Sequence, residues 1–269
     1  MIDTNVTLFR YPYRRVIGDD PETLAARLRA KGVEQAWAGS YEALWSRDMS
    51  GVNLRLAEAC RRTGEGFFLP FGCVNPKLPD WREDLRRCHA VHRMQGIRLF
   101  PNYHGYTLAD PLFAEIVSSA ADRNLIVQLT LSMEDTRTQL IVIQPVDPAP
   151  LADLLPRLPH LRVVLLNHGG WTDDDAGESI ARIRRAENAY FDMAMNEGVG
   201  GLARLIAATS PRRVVFGSHS PFFYFESARL KVLSEALPAD QERAVYEGNA
   251  QSLLRPAPRQ ASISRRLSR

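Results

Sequence analysis

Cysteine is scarce in this chain. Its three thiols, Cys60, Cys73 and Cys88, are too few for a disulfide framework and too widely spaced for a C-x-x-C pair. A reducing, cytoplasmic compartment is therefore expected. No segment reaches the roughly 18 consecutive apolar residues of a membrane span, so no membrane partner is expected. The opening M-I-D-T-N-V-T-L has no charged-then-apolar order of a signal peptide and reads as a strand. Internal repeats and linkers are lacking as well, which points to one domain over residues 1–254. No basic stripe with interleaved aromatics runs through that body, so nucleic acid is not expected as a partner. The formal charge of +3 comes from the end of the chain, because residues 255–269 carry five arginines and no acid. That tail also holds Pro256, Pro258, Ser262, Ser264 and Ser268, a composition expected to be disordered and solvated.

What is present is alternation. Eight short apolar runs, at 2–7, 33–38, 67–74, 96–100, 125–131, 161–167, 189–193 and 213–218, read as strands. Helix-like stretches lie near 21–30, 52–62, 81–94, 112–123, 151–155, 175–187 and 201–208, with two more near 223–236 and 239–254. Strands alternating with helices imply parallel pairing through crossover helices. Eight such units in about 250 residues match a closed (β/α)₈ TIM barrel, here with extra C-terminal helices.

A barrel of this kind carries its chemistry at the C-terminal ends of its strands. The most informative end is R-V-V-F-G-S-H-S-P-F-F, residues 213–223, where a buried-type strand breaks into small polar residues around His219. The sixth strand ends similarly at His168, followed by Gly169 and Gly170, which permit close backbone approach. On the first strand Asp3, Asn5 and Thr7 alternate with Ile2, Val6 and Leu8, and the polar face is expected to line a wet pocket. Arg98 and Phe100 share an inward parity on the fourth strand, and Tyr103, His104 and Tyr106 follow at the rim. Arg98 either grips a substrate carboxylate with its planar fork or forms an ion pair within the barrel. The fifth strand places Gln128 and Thr130 on one parity, with Glu134 and Asp135 beyond its end as a general base or as helix-start charges. Thr172–Asp175 fits a helix cap better than a metal cage. Asp192 and Glu197 are weaker candidates, His160 lies at the wrong end, and Cys88, His89 and His92 read as a solvated helix face.

Taken together these motifs resemble the amidohydrolase-related family of (β/α)₈ metal hydrolases and decarboxylases. The family opens I-D-x-H-x-H where this chain has Ile2-Asp3-Thr4-Asn5-Val6-Thr7. G-I-R-L-x-P-x-Y from Gly96, N-H-G-G at 167–170, F-G-S-x-x-P-F at 216–222 and G-N-A at 248–250 are also similar. The resemblance implies that two first-strand histidines, a fifth-strand histidine, a sixth-strand histidine and an eighth-strand aspartate hold a divalent metal and its water. Here those positions are Asn5, Thr7, Thr130, His168 and His219. Neutral oxygens at three of them make a degraded zinc site, so no metal or other cofactor is expected. The resemblance then implies one of three things. The first is a metal-independent hydrolase, like the pyrone-dicarboxylate lactonases, acting on a small carboxylate-bearing lactone, ester or amide. The others are a decarboxylase or other lyase, and a non-catalytic barrel that keeps a ligand pocket. The first is adopted, with His219 as general base and His168 polarising the scissile carbonyl. Arg98, Tyr103, His104, Asn5, Thr7 and Thr130 are the expected substrate contacts. A homo-oligomer is implied by resemblance alone.

Overall fold

In the computed structural model, which describes residues 1–135, 139–169 and 177–255, the eight apolar runs become eight parallel strands. They are β1 Ile2–Leu8, β2 Gln35–Ser40, β3 Phe68–Cys73, β4 Gly96–Leu99, β5 Ile126–Thr130, β6 Arg162–Leu166, β7 Ala189–Asp192 and β8 Val214–Val215. Each pairs with its neighbour in sequence order. The sheet then curls back on itself. The Thr4 N–H donates to Phe216 O at 2.9 Å and the Thr7 N–H donates to Ser220 O at 2.9 Å, beside a parallel bridge from Val6 to Ser220. The eight-stranded TIM barrel read from the sequence is what forms.

The helices packed outside are α1 Pro21–Ala30, α2 Met49–Arg62, α3 Trp81–Ala90, α4 Pro101–His104, α5 Pro111–Asp122, α6 Leu151–Leu154, α7 Gly177–Arg185, α8 Gly201–Ala208, α9 Phe225–Ser234, α10 Ala239–Arg243 and α11 Asn249–Leu254. Their starts follow local chemistry. Asp20 accepts from the Thr23 N–H at 2.8 Å and Pro21 supplies a preset φ at the first turn of α1. Their apolar faces and the outward-facing strand residues, such as Val6, Ile97, Val127 and Leu165, form the main core between sheet and helices.

Inside the barrel the layers differ. The bottom is dry, with Ile2, Trp37, Phe71, Ile126, Val164 and Val215 packed together and Trp37 stacked on Phe71 at 4.9 Å. Above it the interior turns polar. This placement corrects one expectation, since Ile2 does not share a face with Val6 and Leu8. A register shift between Asp3 and Val6 in β1 sends Ile2 inward and the later two outward, so Asn5 and Thr7 point into the barrel. Thr172–Asp175, Gly170 and residues 256–269 lie outside the described residues.

Candidate active site at the barrel mouth

The polar interior is organised by Arg98. Its Nε donates to Gln128 Oε1 at 2.8 Å, one terminal nitrogen donates to Val6 O and Thr7 Oγ1 at 2.9 Å each, and the other donates to Trp37 O at 3.3 Å. Burial lowers its pKa to about 10, which still leaves a cation at neutral pH. The space for this guanidinium comes from Gly39, where a Cβ would sit 2.8 Å from Arg98 Cδ. All three guanidinium nitrogens are thus held by protein acceptors. Among the described residues Arg98 makes no ion pair with an acid, and it forms the polar floor of the mouth.

Two buried carboxylates complete that floor. Asp192 Oδ2 accepts from Asn5 Nδ2 at 2.7 Å and from the Asn167 N–H at 3.3 Å, and Asn5 also donates to Asn167 Oδ1 at 2.9 Å. Asp3 accepts from the Ser218 N–H at 3.0 Å, the Ser218 hydroxyl at 2.5 Å and the Asn5 N–H at 3.2 Å. Burial nevertheless raises Asp3 to about 7, and it raises Asp192 as well. Gly217 makes this packing fit, because a Cβ there would lie 2.0 Å from Asp192 Oδ1.

His219 stands above the floor, just past β8. Its Nε2 lies 2.9 Å from Met133 O in the segment after β5, across the mouth. Only the N–H tautomer at Nε2 can donate to a carbonyl, which leaves the Nδ1 lone pair free. Nδ1 is buried and makes no hydrogen bond to a described residue, and neither does the Thr130 Oγ1 at the end of β5. Burial pushes the His219 pKa down to about 4, so the ring is neutral at pH 7. Its backbone is left-handed, with φ 56°, as is that of Asn167 just before His168. Asn adopts this region readily, whereas it is uncommon for a histidine, so the strain lies at His219.

His168 is also buried and neutral, with a pKa pushed down to about 4, and its ring meets the Phe191 edge at 5.8 Å. It lines a cavity of about 240 Å³ together with Ser132, Glu134, Asp135, Asn167 and Met195. His219 is not on that wall. The Met133–Glu134 segment lies next to both imidazoles, since Met133 O holds His219 while Glu134 lines the His168 cavity.

An aromatic rim covers the mouth. Tyr11 meets Tyr13, Tyr41 and Phe222 edge-on at 5.0 to 5.4 Å, Trp45 meets Tyr103 at 5.6 Å, and Phe222 stacks on His219 at 5.1 Å. Tyr103 packs in this cluster. His104 sits deeper, with Nε2 2.8 Å from Ala43 O and its ring between Phe100 and Tyr106. Glu134 is buried beneath the rim, where its carboxylate accepts from Tyr11 Oη at 2.9 Å and Arg14 Nε at 3.1 Å. Sequence reasoning passed over Tyr11 and Arg14 entirely. The only signal available was the density of Tyr and Arg in R-Y-P-Y-R-R, directly after a barrel strand.

The residues present do not suit a divalent metal. Asn5 turns its amide nitrogen, not its oxygen, toward Asp192, and Thr7 Oγ1 faces the Arg98 cation. Among the described residues no group of three or more His, Cys, Asp or Glu side chains is placed to hold a metal ion.

Comparison with known proteins adds to this geometry. A family model described as Amidohydrolase matches residues 5–255. No curated protein matches the chain. Among solved structures, 2,6-dihydroxybenzoate decarboxylase from Rhizobium superposes with a TM-score of 0.72 at 15% identity, over 94% of this chain and 98% of that one. The 5-carboxyvanillate decarboxylase from Sphingomonas paucimobilis gives 0.72 at 14% identity, over 96% and 99%. An uncharacterised TIM-barrel protein from Bordetella bronchiseptica gives 0.72 at 17% identity, over 94% and 98%. At such identities the likeness is one of fold.

Proposed function

Because the chain belongs to the amidohydrolase family, we propose that it is a hydrolase that works without a bound metal. It opens a lactone, ester or amide bond of a small carboxylate-bearing substrate at the C-terminal mouth of the barrel. The observation that carries this reading is the buried Nδ1 of His219, which has no partner among the described residues while Met133 O fixes the other ring nitrogen. Such a group is a positioned lone pair in a site shielded from bulk water.

In this reading Nδ1 takes a proton from water, the water oxygen adds to the scissile carbonyl carbon, and the imidazolium returns the proton to the leaving oxygen or nitrogen. Thr130 Oγ1 offers a hydroxyl beside the reacting group, and His168 polarises the carbonyl from the adjoining cavity. Arg98 acts from beneath as a fixed positive field, with Asn5 and Thr7 holding the floor in place, because its donors are already engaged. Tyr103 shapes the rim, and His104 supports it from below through Ala43 O.

A decarboxylase is the second reading. The aromatic rim favours it, since it suits a planar ring, and the two named enzymes above that share the fold are decarboxylases. Releasing CO₂ from a ring carbon requires a proton donor to that carbon. With both imidazoles held neutral, Asp3, whose carboxyl is raised to about 7, would be the proton-bearing group for that reading, while the unpartnered Nδ1 of His219 favours hydrolysis. The test is a panel of lactones, esters and hydroxybenzoates assayed with chelator present, reading acid release and CO₂ separately. Hydrolysis lost in His219→Gln supports the proposal. CO₂ release from the same site selects the second reading, and no turnover on any compound selects a binding protein.

A further inference from the structure

We propose that Arg14, on the loop between β1 and α1, grips the carboxylate of an aromatic acid entering the mouth. The inference rests on the mouth being the substrate site, as argued above. Arg98 makes four hydrogen bonds within the barrel floor. Arg14 is different. It is about half exposed, and its Nε is fixed by Glu134 at 3.1 Å. Its two terminal nitrogens make no hydrogen bond to a described residue. A guanidinium held through Nε keeps its terminal fork for a carboxylate, with the entropy of orientation already lost.

Its place is equally specific. The Arg14 guanidinium lies 4.3 Å from the centroid of the Phe222 ring, and the same ring stacks on His219 at 5.1 Å with 29° between the planes. Cation and imidazole therefore share one aromatic neighbour, which places the Arg14 fork on the His219 side of the mouth. The loop also bears a cavity of about 240 Å³ lined by Arg10, Tyr11, Tyr13, Arg14, Arg15 and Asp19. Three arginines against one acid there give a positive field at the entrance, which draws anions. Tyrosine faces supply the apolar walls that a ring requires. Phe9 and Gly18, both left-handed at φ 68° and 80°, bracket the segment that carries these groups.

The test is calorimetric titration of the intact protein at low salt with two probes of one shape, benzoate and neutral benzamide. Benzoate is expected to bind at least about tenfold more tightly than benzamide. Arg14→Gln is expected to remove that difference, whereas Arg212→Gln, an exposed charge at the opposite end of the barrel, leaves it unchanged. If Arg14→Gln melts early, Arg14→Lys serves, since it keeps the charge and loses the fork; weaker benzoate binding is then expected. Equal affinity for the two probes, no benzoate binding, or unchanged binding in both Arg14 variants would overturn the assignment. A failed clamp is separated from a failed hydrolase, because binding is read without turnover and turnover without benzoate.

Discussion

His219 carries the reaction only if it is neutral, and its burial makes it so down to unusually low pH. Ordinary histidine titrates near 6.5, whereas this ring is held near 4. The acid limb of the pH–rate profile is therefore expected near pH 4, and a limb near 6.5 would remove His219 from the role. The same burial affects folding. Between pH 4 and 6.5 the unfolded chain binds more protons than the folded one at His168 and His219. Stability from these two rings is full above about 6.5 and falls as the pH drops, by up to about 3 kcal/mol per ring. Asp3 acts in the opposite sense. Its folded pKa of about 7 lies above the ordinary 3.8, so its contribution is full below about pH 4 and fades as the pH rises through 7. Thermal melts from pH 4.5 to 7.5 should show a shallower rise of stability with pH in His219→Gln than in the parent. They should show a steeper rise in Asp3→Asn.

At the scale of elements, the two glycines that admit the polar floor are the sharpest test of the barrel interior. Gly39→Ala pushes on Arg98 and Gly217→Ala pushes on Asp192 and Asn5, and each is expected to cost about 1–3 kcal/mol by overpacking. Removing the α1 cap with Asp20→Ala is expected to cost about 1 kcal/mol. Chemical denaturation measures all three, and a Gly217→Ala protein as stable as the parent would contradict the packing described. The same glycines explain where sequence reading stopped short. The apolar run predicts β2 at 33–38, whereas it runs Gln35–Ser40 and continues through Gly39, whose missing Cβ leaves room for Arg98. β8 was expected to reach Ser218 and its ladder to β7 ends at Val215; Phe216 to Ser220 turn instead to β1 and close the barrel. The strand-end positions of His168 and His219 were legible from apolar runs that end in small polar residues. The Asn5–Asp192 and Asp3–Ser218 pairings were not, since they join residues far apart in the chain and follow from a register shift that no local pattern announces.

For the molecule as a whole, the barrel keeps its family's framework, while at two of the metal positions Asn5 is bonded to Asp192 and Asn167 and Thr7 to Arg98. A cation fixed at the floor leaves a divalent ion with a repulsive neighbour and poor donors. Purified, undialysed protein is accordingly expected to hold far less than one equivalent of zinc, manganese or iron by elemental analysis. What remains at the mouth is a polar floor, a neutral imidazole and a ring of aromatic side chains. The most direct test of that account is hydrolysis of the lactone and ester panel by metal-depleted protein, compared with His219→Gln under the same conditions. The account predicts turnover that survives chelation and falls about a hundredfold or more in the variant. Turnover that appears only after a stoichiometric divalent metal is restored, or that is unchanged in His219→Gln, would contradict it.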